Sequence, residues 1–454
     1  MDNFFIEKIA EVDLYICSVP LRRPFEISGG LAQRDFQPIV VVITNESGFT
    51  GISTLDNFTT SVYDNNGIYV SWVNLVEDYL PYIIKKFNKI EDRTIFDFYN
   101  ILHKIRDYNP FVVSALEMAL WDLLGKQENI ACHSIFYDIF LGFLREFYDM
   151  SQSKFEFKDY SKILDRARRR RLEMGLKSKI SIGLQKEDIK ESRIQKYRKI
   201  IDEALNQGID AIKLKITPGK RYNTNLIHLI RDEYSDLTID TDANSSFLPQ
   251  RDCFGRVNLN KIINIYNSMD KFNIRMHEQP SIFKRDHMQI FFELAKSINI
   301  PLCLDESIHS FYEVQHLISE FKGLEATEQQ VDKIYVNIKI HRTGGLIDSI
   351  ISLANILWAN KADLSVNIVP WAGYMPDQEL SSNAALHLFS LPIQTSHTDI
   401  TNHRYWFTDS LFDQTISVEK GKVKLINGPG FGLYLNHDKV NKRKLREKSF
   451  KFIR

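Results

Sequence analysis

The chain has 454 residues, 44% of them hydrophobic and 26% charged, so it can form a large folded core and extended disorder is not expected. Lys and Arg together number 58, as do Asp and Glu, so the formal net charge of +0 gives no support to general binding of nucleic acid. No apolar run resembles a membrane span or a signal peptide, which predicts a cytoplasmic protein with no membrane partner.

The cysteines are scattered along the chain without a Cys-x-x-Cys spacing: Cys17, Cys132, Cys253 and Cys303. This usage is typical of reduced cytosolic thiols and not of a disulfide framework or a zinc site. We therefore predict four free thiols.

The N-terminal region, residues 1–135, predicts an α+β capping domain that begins with a small sheet. Residues 8–20 alternate as a strand does, and 38–44 form a β-branched apolar run. A turn follows, from which residues 49–54 return as a hairpin partner. Between the first two runs we expect a loop that carries two glycines, Gly29 and Gly30.

Helices are predicted to follow the sheet. Residues 70–88 and 111–126 have apolar positions at helical spacing. The next segment, 136–176, is highly charged and includes Arg168 to Arg171, which predicts a helical link or insertion with a solvated surface. An isolated basic run in a neutral protein is weak support for a nucleic-acid patch, and use as an interface is the remaining alternative.

From about Lys177 the chain alternates short apolar strands with helical stretches. The predicted strands lie at 179–184, 211–216, 237–243, 274–280, 300–307, 333–339 and 364–370. This rhythm over residues 177–397 predicts parallel strands with helical crossovers, arranged as a barrel or as an open doubly wound sheet. Residues 398–454 contain hairpin-like pieces and are predicted to return to the cap.

Two lysines lie within one apolar strand. Lys213 and Lys215 are two residues apart, so their side chains share one face. Two ammonium groups on a buried face are costly unless something compensates them. We expect the charge of each lysine to lower the pKa of the other, and burial to lower the pKa of both. A lysine with a lowered pKa is a usable base near neutral pH.

Carboxylates stand at the ends of the next three strands. Asp242, Glu278 and Asp305, the last followed by Glu306, would converge where the strands of a barrel end, and this placement favours the barrel. Single carboxylates from three strands, with coordination positions left open, suit Mg²⁺, and Mn²⁺ is a possible substitute.

A further pair, Asn337 and Lys339, lies two apart on the following strand. The intervals between the five charged positions are each about one βα unit: 27 residues from Lys215 to Asp242, 36 to Glu278, 27 to Asp305 and 34 to Lys339. This order places a lysine on each side of a metal site, where one can take a proton while the metal holds the resulting enediolate. Taken one at a time, an aspartate at a strand end is often a helix cap, and a lysine there is often a surface residue. The regular spacing of all five charged positions argues against that interpretation.

The motifs PLRRPF, SALEMALWDLLGK, KLKITPG, DANSSF, EQP, PLCLDESI, VNIKIHRTGGL and DITNHRYW resemble the muconate-lactonizing subgroup of the enolase superfamily over most of the chain. The pattern is most similar to the o-succinylbenzoate synthase/N-succinylamino-acid racemase family, whose last motif carries an arginine that Arg342 matches. Dipeptide epimerases resemble it less at DANSSF and at Arg342. The resemblance implies a modified (β/α) barrel with an α+β capping domain built from the N-terminal region and the C-terminal tail.

The resemblance also implies roles for residues. Asp242, Glu278 and Asp305 would bind Mg²⁺, Lys215 would be the base on one face, and Lys339 would be the opposite lysine, a base in a racemase and a charge-stabilising cation in the synthase. The supporting or substrate-binding residues would be Lys213, Asn244, Glu306, Asn337, Asp377, Gly29 and Gly30, with the loop around 27–31 closing over the substrate.

This sequence departs from the family pattern in three places, one of which is the charged segment 140–176, longer than the family's usual link into the barrel. The family segment Gly-Gly-Met-Leu-Glu-Thr-Gly-Ile-Gly-Arg is AGYMPDQELSS at 372–382, where Asp377 takes the position of the glutamate, Gly373 is the one glycine present and the arginine is absent. The family's Trp-Gly-Glu is Ile52, Ser53 and Thr54. The change at 372–382 leaves the identity of the substrate open, because the resemblance implies that this segment borders the substrate.

The favoured expectation is a lyase that dehydrates a small carboxylate substrate to o-succinylbenzoate in menaquinone biosynthesis. Racemisation of N-acylamino acids is the second alternative and dipeptide epimerisation the third. A retired barrel that only binds would be expected to lose some of the charged residues, and all are present. The family further implies a homo-oligomer.

Overall fold

The structure, a computed structural model, describes residues 4–27, 30–59, 65–150, 157–183, 191–251, 257–323, 331, 333–362 and 366–452. It contains an N-terminal sheet domain with helices and a seven-stranded parallel sheet flanked by helices. The α/β architecture with a capping domain is therefore confirmed.

Five strands open the chain: β1 (Ile9–Cys17), β2 (Val19–Ile27), β3 (Gly30–Phe36), β4 (Ile39–Asn45) and β5 (Thr50–Leu55). β4 pairs with β5 in an antiparallel hairpin, as predicted, and its other edge pairs with β1, also antiparallel. The segment predicted as a loop is instead an antiparallel hairpin of β2 and β3, in which Ile27 pairs with Gly30. Gly29 lies outside the described residues.

Prolines explain why this hairpin was missed. Pro20 and Pro24 lie inside β2, and the register shifts between Pro20 and Phe25. Proline has no backbone N–H to give to a ladder, so it is confined to edges and bulges and weakens the sequence pattern of a strand.

The helices of the cap follow: α1 (Ile68–Val73), a π-helical turn (Asn74–Tyr79), α2 (Leu80–Phe87), α3 (Ile95–Leu102) and α4 (Pro110–Gln127). Both predicted helical regions are confirmed. α4 begins where the Asn109 side chain accepts a hydrogen bond from Val112 N at 3.2 Å and Pro110 takes the first helical position. It packs on β5, where Gly51 allows the close approach.

The charged segment forms two helices, α5 (Cys132–Met150) and α6 (Phe157–Met174). Among the described side chains of α6 only Leu164 is buried, in keeping with a solvated surface helix. Two of its arginines contact residues outside the helix: the guanidinium carbon of Arg168 lies 4.6 Å from the Tyr137 ring centroid, and Arg171 donates to Ile393 O at 3.0 Å.

Strands and helices alternate through the next region as predicted. The remaining strands are β6 (Leu176–Lys177), β7 (Ile180–Ile182), β8 (Ala211–Lys215), β9 (Thr238–Asp242), β10 (Gln250–Arg251), β11 (Val257–Asn258), β12 (Ile274–Glu278), β13 (Leu302–Leu304), β14 (Ile334–Ile338), β15 (Ile368–Ala372), β16 (Val418–Glu419), β17 (Lys422–Val423) and β18 (Lys444–Lys451). The remaining α-helices are α7 (Glu191–Asn206), α8 (Lys220–Glu233), α9 (Asn260–Asn267), α10 (Met288–Lys296), α11 (Phe311–Gly323), α12 (Ile340–Thr343), α13 (Leu346–Ala362), α14 (Glu379–Leu388), α15 (His403–Trp406) and α16 (His437–Arg443). Short 3₁₀ turns lie at Asp270–Phe272 and Arg285–His287.

The parallel sheet has the order β7-β8-β9-β12-β13-β14-β15. Thr398 bridges its two edges: its N donates to Lys177 O at 2.9 Å, its O accepts from Lys179 N at 2.8 Å, and its Oγ1 donates to Ala372 O at 2.8 Å. These bonds close the sheet into a barrel, so the open-sheet alternative is wrong.

The tail then returns to the cap. β16 and β17 form a hairpin that pairs with β6, and β18 pairs with β1. β18 was not predicted because its sequence, KLREKSFK, is charged and exposed, as is common for an edge strand. Cys17, Cys132 and Cys303 are buried free thiols, whereas Cys253 lies outside the described residues. Over the described ranges, every helix is too short or too polar to cross a membrane.

A buried glutamate joins the cap to the barrel. Glu117 on α4 accepts hydrogen bonds from Trp121 Nε1 at 3.0 Å and from the backbone N of Leu346 and Ile347, at the start of α13, at 3.1 and 2.9 Å. Burial raises the pKa of Glu117 to about 8. The fold therefore favours its protonated form at neutral pH.

We expect Gly51→Ala to lower the free energy of unfolding by about 1–3 kcal/mol, because overpacking is destabilising. The new Cβ would lie 2.0 Å from Ala119 O of α4. Denaturant unfolding measures the change. Gly323→Ala is the matched control, since its Cβ would meet nothing within 4 Å. Equal stability of the two variants would contradict the packing of β5 on α4.

Glu117 also predicts a pH dependence of stability. Its folded pKa of about 8 exceeds the usual value of 4.5, so its contribution to the free energy of unfolding falls as the pH rises between these values and is constant above them. Glu117→Gln cannot ionise and should remove this decline. Denaturant unfolding of both proteins at pH 5, 6.5 and 8 tests it; parallel pH profiles would show that Glu117 does not titrate in this range.

Candidate active site

The three lysines singled out from the sequence are buried. Lys213 and Lys215, on β8, are 3% and 5% exposed, and Lys339, directly after β14, is 9% exposed. A surface lysine keeps its ammonium group in water, so that interpretation is wrong for all three. Their charges must be compensated inside the protein.

Lys213 is surrounded by carboxylates. Its Nζ forms ion pairs with Asp399, with Glu278 Oε2 at 3.0 Å and with Asp242 Oδ2 at 3.7 Å. Burial alone would lower the pKa of Lys213, but Asp399, Glu278 and Asp242 outweigh it and raise the pKa well above its usual value. The expected lowering was therefore wrong for this residue.

The other two lysines each hold one aspartate. Lys215 Nζ donates to Asp242 Oδ2 at 2.6 Å, and Lys339 Nζ donates to Asp305 Oδ2 at 2.8 Å. Arg342 donates to the second oxygen of Asp305. Burial would raise the pKa of Asp305, yet Arg342 and Lys339 hold it below its usual value. Asp305 is therefore ionised.

Glu278 lies between these pairs, on β12. It accepts a hydrogen bond from Asn337 Nδ2 at 2.9 Å. Burial and the negative charge of Asp242 raise the pKa of Glu278 to about 8. Its Oε2 lies near Lys213 but accepts no hydrogen bond from any described residue. The positive charge next to this oxygen in the structure is the ammonium group of Lys213.

Two further predicted residues lie at the site, Asn244 in the turn after β9 and Glu306 after β13. Asn244, in the left-handed region with φ 42°, donates from its N to Asp242 Oδ1 at 2.8 Å. Its Nδ2 donates to Glu306 Oε1 at 3.1 Å. Burial, with Asp305 and Asp242, raises the pKa of Glu306. Asn244 and Glu306 thus stand beside the carboxylates predicted to bind metal.

Asp242, Glu278 and Asp305 have the chemistry of a magnesium site. They end the neighbouring strands β9, β12 and β13 or directly follow them. Burial and the charge of Asp305 would raise the pKa of Asp242, but Lys215 and Lys213 hold it below its usual value. Burial and the charges of Asp242 and Asp305 raise the pKa of Glu278. A divalent cation would relieve this repulsion. In the structure each of the three carboxylates accepts a hydrogen bond from a lysine or from Asn337. Among the described residues, one oxygen from each of Asp242, Glu278 and Asp305 cannot be chosen so that all three lie within 4.8 Å of one another. The donor set fits Mg²⁺, with the carboxylates turned toward their protein partners.

A second layer of buried charges was not predicted. Lys179 Nζ lies 2.9 Å from Asp240 Oδ2 and 3.7 Å from Asp399 Oδ1, and Arg275 also pairs with Asp240. Asp399 in turn binds Lys213. Lys179 and Asp240 are charged residues next to or within apolar strands, which is the signal that identified Lys213. Asp399 carries no such signal because it lies in an irregular segment.

One cavity gathers the catalytic candidates. Lys213, Lys215, Asp242, Asn244, Lys339 and Asp399 line it, together with Phe25, Phe58, Ser181, Tyr374, Met375 and Trp406. Phe25 belongs to the β2–β3 hairpin, so the cap contributes a wall of the cavity. The backbone of Gly30 begins β3 of the same hairpin. Asp377 is absent from this lining and lies instead beside Asp56 and His341.

Two family models match the chain. Residues 196–439 match the model described as Enolase C-terminal domain-like, and residues 11–136 match the Mandelate racemase / muconate lactonizing enzyme N-terminal domain. Together they cover the cap and most of the barrel.

Named relatives are similar at low identity. The o-succinylbenzoate synthase of Bacillus subtilis (strain 168) is 24% identical over 440 residues, which is 96% of each chain. The N-succinylamino acid racemase of Thermus thermophilus is 25% identical over 257 residues, 56% of this chain and 59% of that one. The solved dipeptide epimerase of Cytophaga hutchinsonii, complexed with Mg and D-Ala-L-Val, has a TM-score of 0.70 at 18% identity and covers 97% of this chain and 99% of its own.

We expect Glu278→Gln to weaken Mg²⁺ binding by at least about tenfold, because it removes one charged oxygen ligand. Isothermal titration of metal-free protein with Mg²⁺, or with Mn²⁺ followed by electron paramagnetic resonance, measures the affinity. Glu379→Gln is the matched control, since Glu379 is equally buried and outside this set. Unchanged affinity in Glu278→Gln would remove Glu278 from the metal ligands.

Proposed function

The chain belongs to the enolase superfamily, in its mandelate racemase / muconate lactonizing enzyme family, and we propose that it is a Mg²⁺-dependent enzyme that removes the proton α to a substrate carboxylate. One observation carries this proposal: Lys215 and Lys339, both buried, line a single cavity with Asp242. Lysines that flank a carboxylate-binding metal site are suited to proton transfer at the carbon between them.

Asp242, Glu278 and Asp305 would hold the metal. Bound Mg²⁺ supplies Lewis-acid stabilisation of the negative charge that develops on the substrate carboxylate. The complex of the Cytophaga hutchinsonii dipeptide epimerase with Mg supports this assignment by family relationship.

The residues of the chain divide the remaining work. Lys215 takes the α proton, and Lys339 places its positive charge on the opposite face of the cavity. Lys213, fixed by Asp399 and Glu278, keeps a charge next to the metal ligands. The aromatic walls, which include Phe25 and Trp406, exclude water and so strengthen these electrostatic effects.

The proposed reaction is dehydration to o-succinylbenzoate. Lys215, protonated by the first step, is on the right face to return a proton to the departing hydroxyl, so one water leaves in a syn elimination. The alignment with the Bacillus subtilis synthase over 96% of both chains supports this choice. A small carboxylate substrate, a place in menaquinone biosynthesis and a homo-oligomeric state are parts of the same proposal.

Racemisation of N-acylamino acids is the second candidate. It requires a base on each face of the α carbon, and Lys339 lines the cavity along with Lys215. The similarity to the Thermus thermophilus racemase supports it. In a racemase both lysines exchange protons, whereas in the dehydration only Lys215 does.

We expect purified protein to remove the ultraviolet absorbance of the cyclohexadiene precursor of o-succinylbenzoate only when Mg²⁺ is present. Lys215→Ala should lower kcat by about 10²–10⁴-fold, the usual contribution of a general base. Lys271→Ala is the control, since Lys271 is an exposed lysine that lies three residues before β12 and does not line the cavity. Full activity of Lys215→Ala would refute the base assignment.

Absence of turnover in wild-type protein would reject the dehydration. α-Deuterium exchange of N-succinylamino acids in D₂O would then test the racemase. Exchange lost in Lys215→Ala for one enantiomer and in Lys339→Ala for the other would identify the racemase. No exchange with either enantiomer would reject it.

A further inference from the structure

A second group of metal-binding side chains lies outside the Asp242, Glu278 and Asp305 set. Asp56, His341 and Asp377 each offer a ligand atom, and these atoms all lie within 4.8 Å of one another. Asp56 is 0% exposed, His341 4% and Asp377 8%. A carboxylate–imidazole–carboxylate group of this compactness is a typical donor set for a transition metal.

The three residues come from different parts of the fold. Asp56 directly follows β5 of the cap, and His341 lies on α12, two residues beyond Lys339. Asp377 lies between β15 and α14, in the segment that departs from the family pattern. An ion bound here would connect the cap to two neighbouring βα units of the barrel.

Each member has an atom without a hydrogen-bond partner among the described residues: Asp56 Oδ1, Asp377 Oδ1 and His341 Nδ1. The second oxygen of each aspartate does accept a hydrogen bond: Asp56 Oδ2 from Gln378 N at 3.0 Å, and Asp377 Oδ2 from Met375 N at 3.3 Å. The buried side chain of Gln378 likewise has no described partner for its oxygen or its nitrogen. Buried polar atoms are nearly always satisfied, and leaving one unsatisfied costs about 1–3 kcal/mol. Several such atoms in one place indicate that a ligand satisfies them.

The local charges agree with a cation. Among the described residues, no lysine or arginine lies within ion-pair distance of Asp56 or Asp377; His341 Nε2 lies 3.9 Å from Asp56 Oδ2, and the more distant positive charge of Lys339 acts on Asp377. Burial raises the pKa of Asp56 to about 6, and burial with Asp56 raises the pKa of Asp377 well above its usual value. Burial also lowers the pKa of His341 to about 3, so its imidazole is neutral and able to bind metal.

We propose that Asp56, His341 and Asp377 form a second metal site that takes a divalent transition metal of the Zn²⁺ type and fastens the cap to the barrel beside Lys339. Zn²⁺ binds imidazole nitrogen and carboxylate oxygen at about 2.0–2.2 Å, so small movements of these side chains would complete three of its four positions. Water can supply the fourth. Mg²⁺ prefers oxygen alone and so favours the other set.

The test counts bound zinc on the full chain. Wild-type protein is stripped with a chelator, exposed to Zn²⁺ in the presence of excess Mg²⁺, desalted into buffer with Mg²⁺ and analysed by mass spectrometry of the metal. We expect one equivalent of Zn²⁺ per chain in the wild type and in Glu278→Gln, and its loss in Asp377→Asn. Glu379→Gln, at an equally buried neighbour, is the control that should retain zinc.

Asp56→Asn provides an independent variant. Both Asn variants remove a buried charge and keep the size of the side chain, and thermal unfolding of the metal-free proteins verifies that they fold. Zn²⁺ should raise the melting temperature of the wild type and of Glu278→Gln, and should leave that of both Asn variants unchanged. Zinc retained by both Asn variants, or no zinc in the wild type, would overturn the proposal. Because the readout is bound zinc and not turnover, this result is separate from that of the proposed function.

Discussion

Buried lysines paired with buried carboxylates are the interaction on which the barrel depends. Lys213, Lys215 and Lys339 stand where the parallel strands end, and each is compensated by an aspartate or glutamate from a neighbouring element. Moving one of these charges out of water alone would be prohibitive, and removing one partner leaves the other uncompensated. The register follows from this pairing: Lys215 and Asp242 are direct neighbours across β8 and β9.

Closure of the barrel and the charge of the active site are coupled through consecutive residues. Thr398 bonds to the backbone at both edges of the sheet, and Asp399, the next residue, pairs with Lys213 and approaches Lys179. A change that displaces this segment would therefore open the sheet and uncover two buried cations together. This coupling explains how an irregular segment can hold its position without being a regular strand.

Much of the fold and the residues of the site could be predicted because their signals are local. The strands are short apolar runs, and a charged residue inside such a run, as at Lys215, marks a buried polar site. The raised pKa of Lys213 could not be predicted, because it depends on Asp399, 186 residues away. The β2–β3 hairpin was missed since prolines interrupt its pattern, and β18 because its charges mask an edge strand. The domain boundaries and the roles of the site residues stay predictions.

The segment at 372–382 has two separate effects on the molecule. Tyr374 and Met375 line the cavity with Lys339, so their identity contributes to the shape available to a substrate. Asp377, two residues later, lies beside Asp56 of the cap, where neither carboxylate has an arginine or lysine partner within ion-pair distance among the described residues. Departure from a family pattern in one segment therefore need not mean only a different substrate. Here the same few residues also contact the cap, and His341 places that contact two residues along the chain from Lys339.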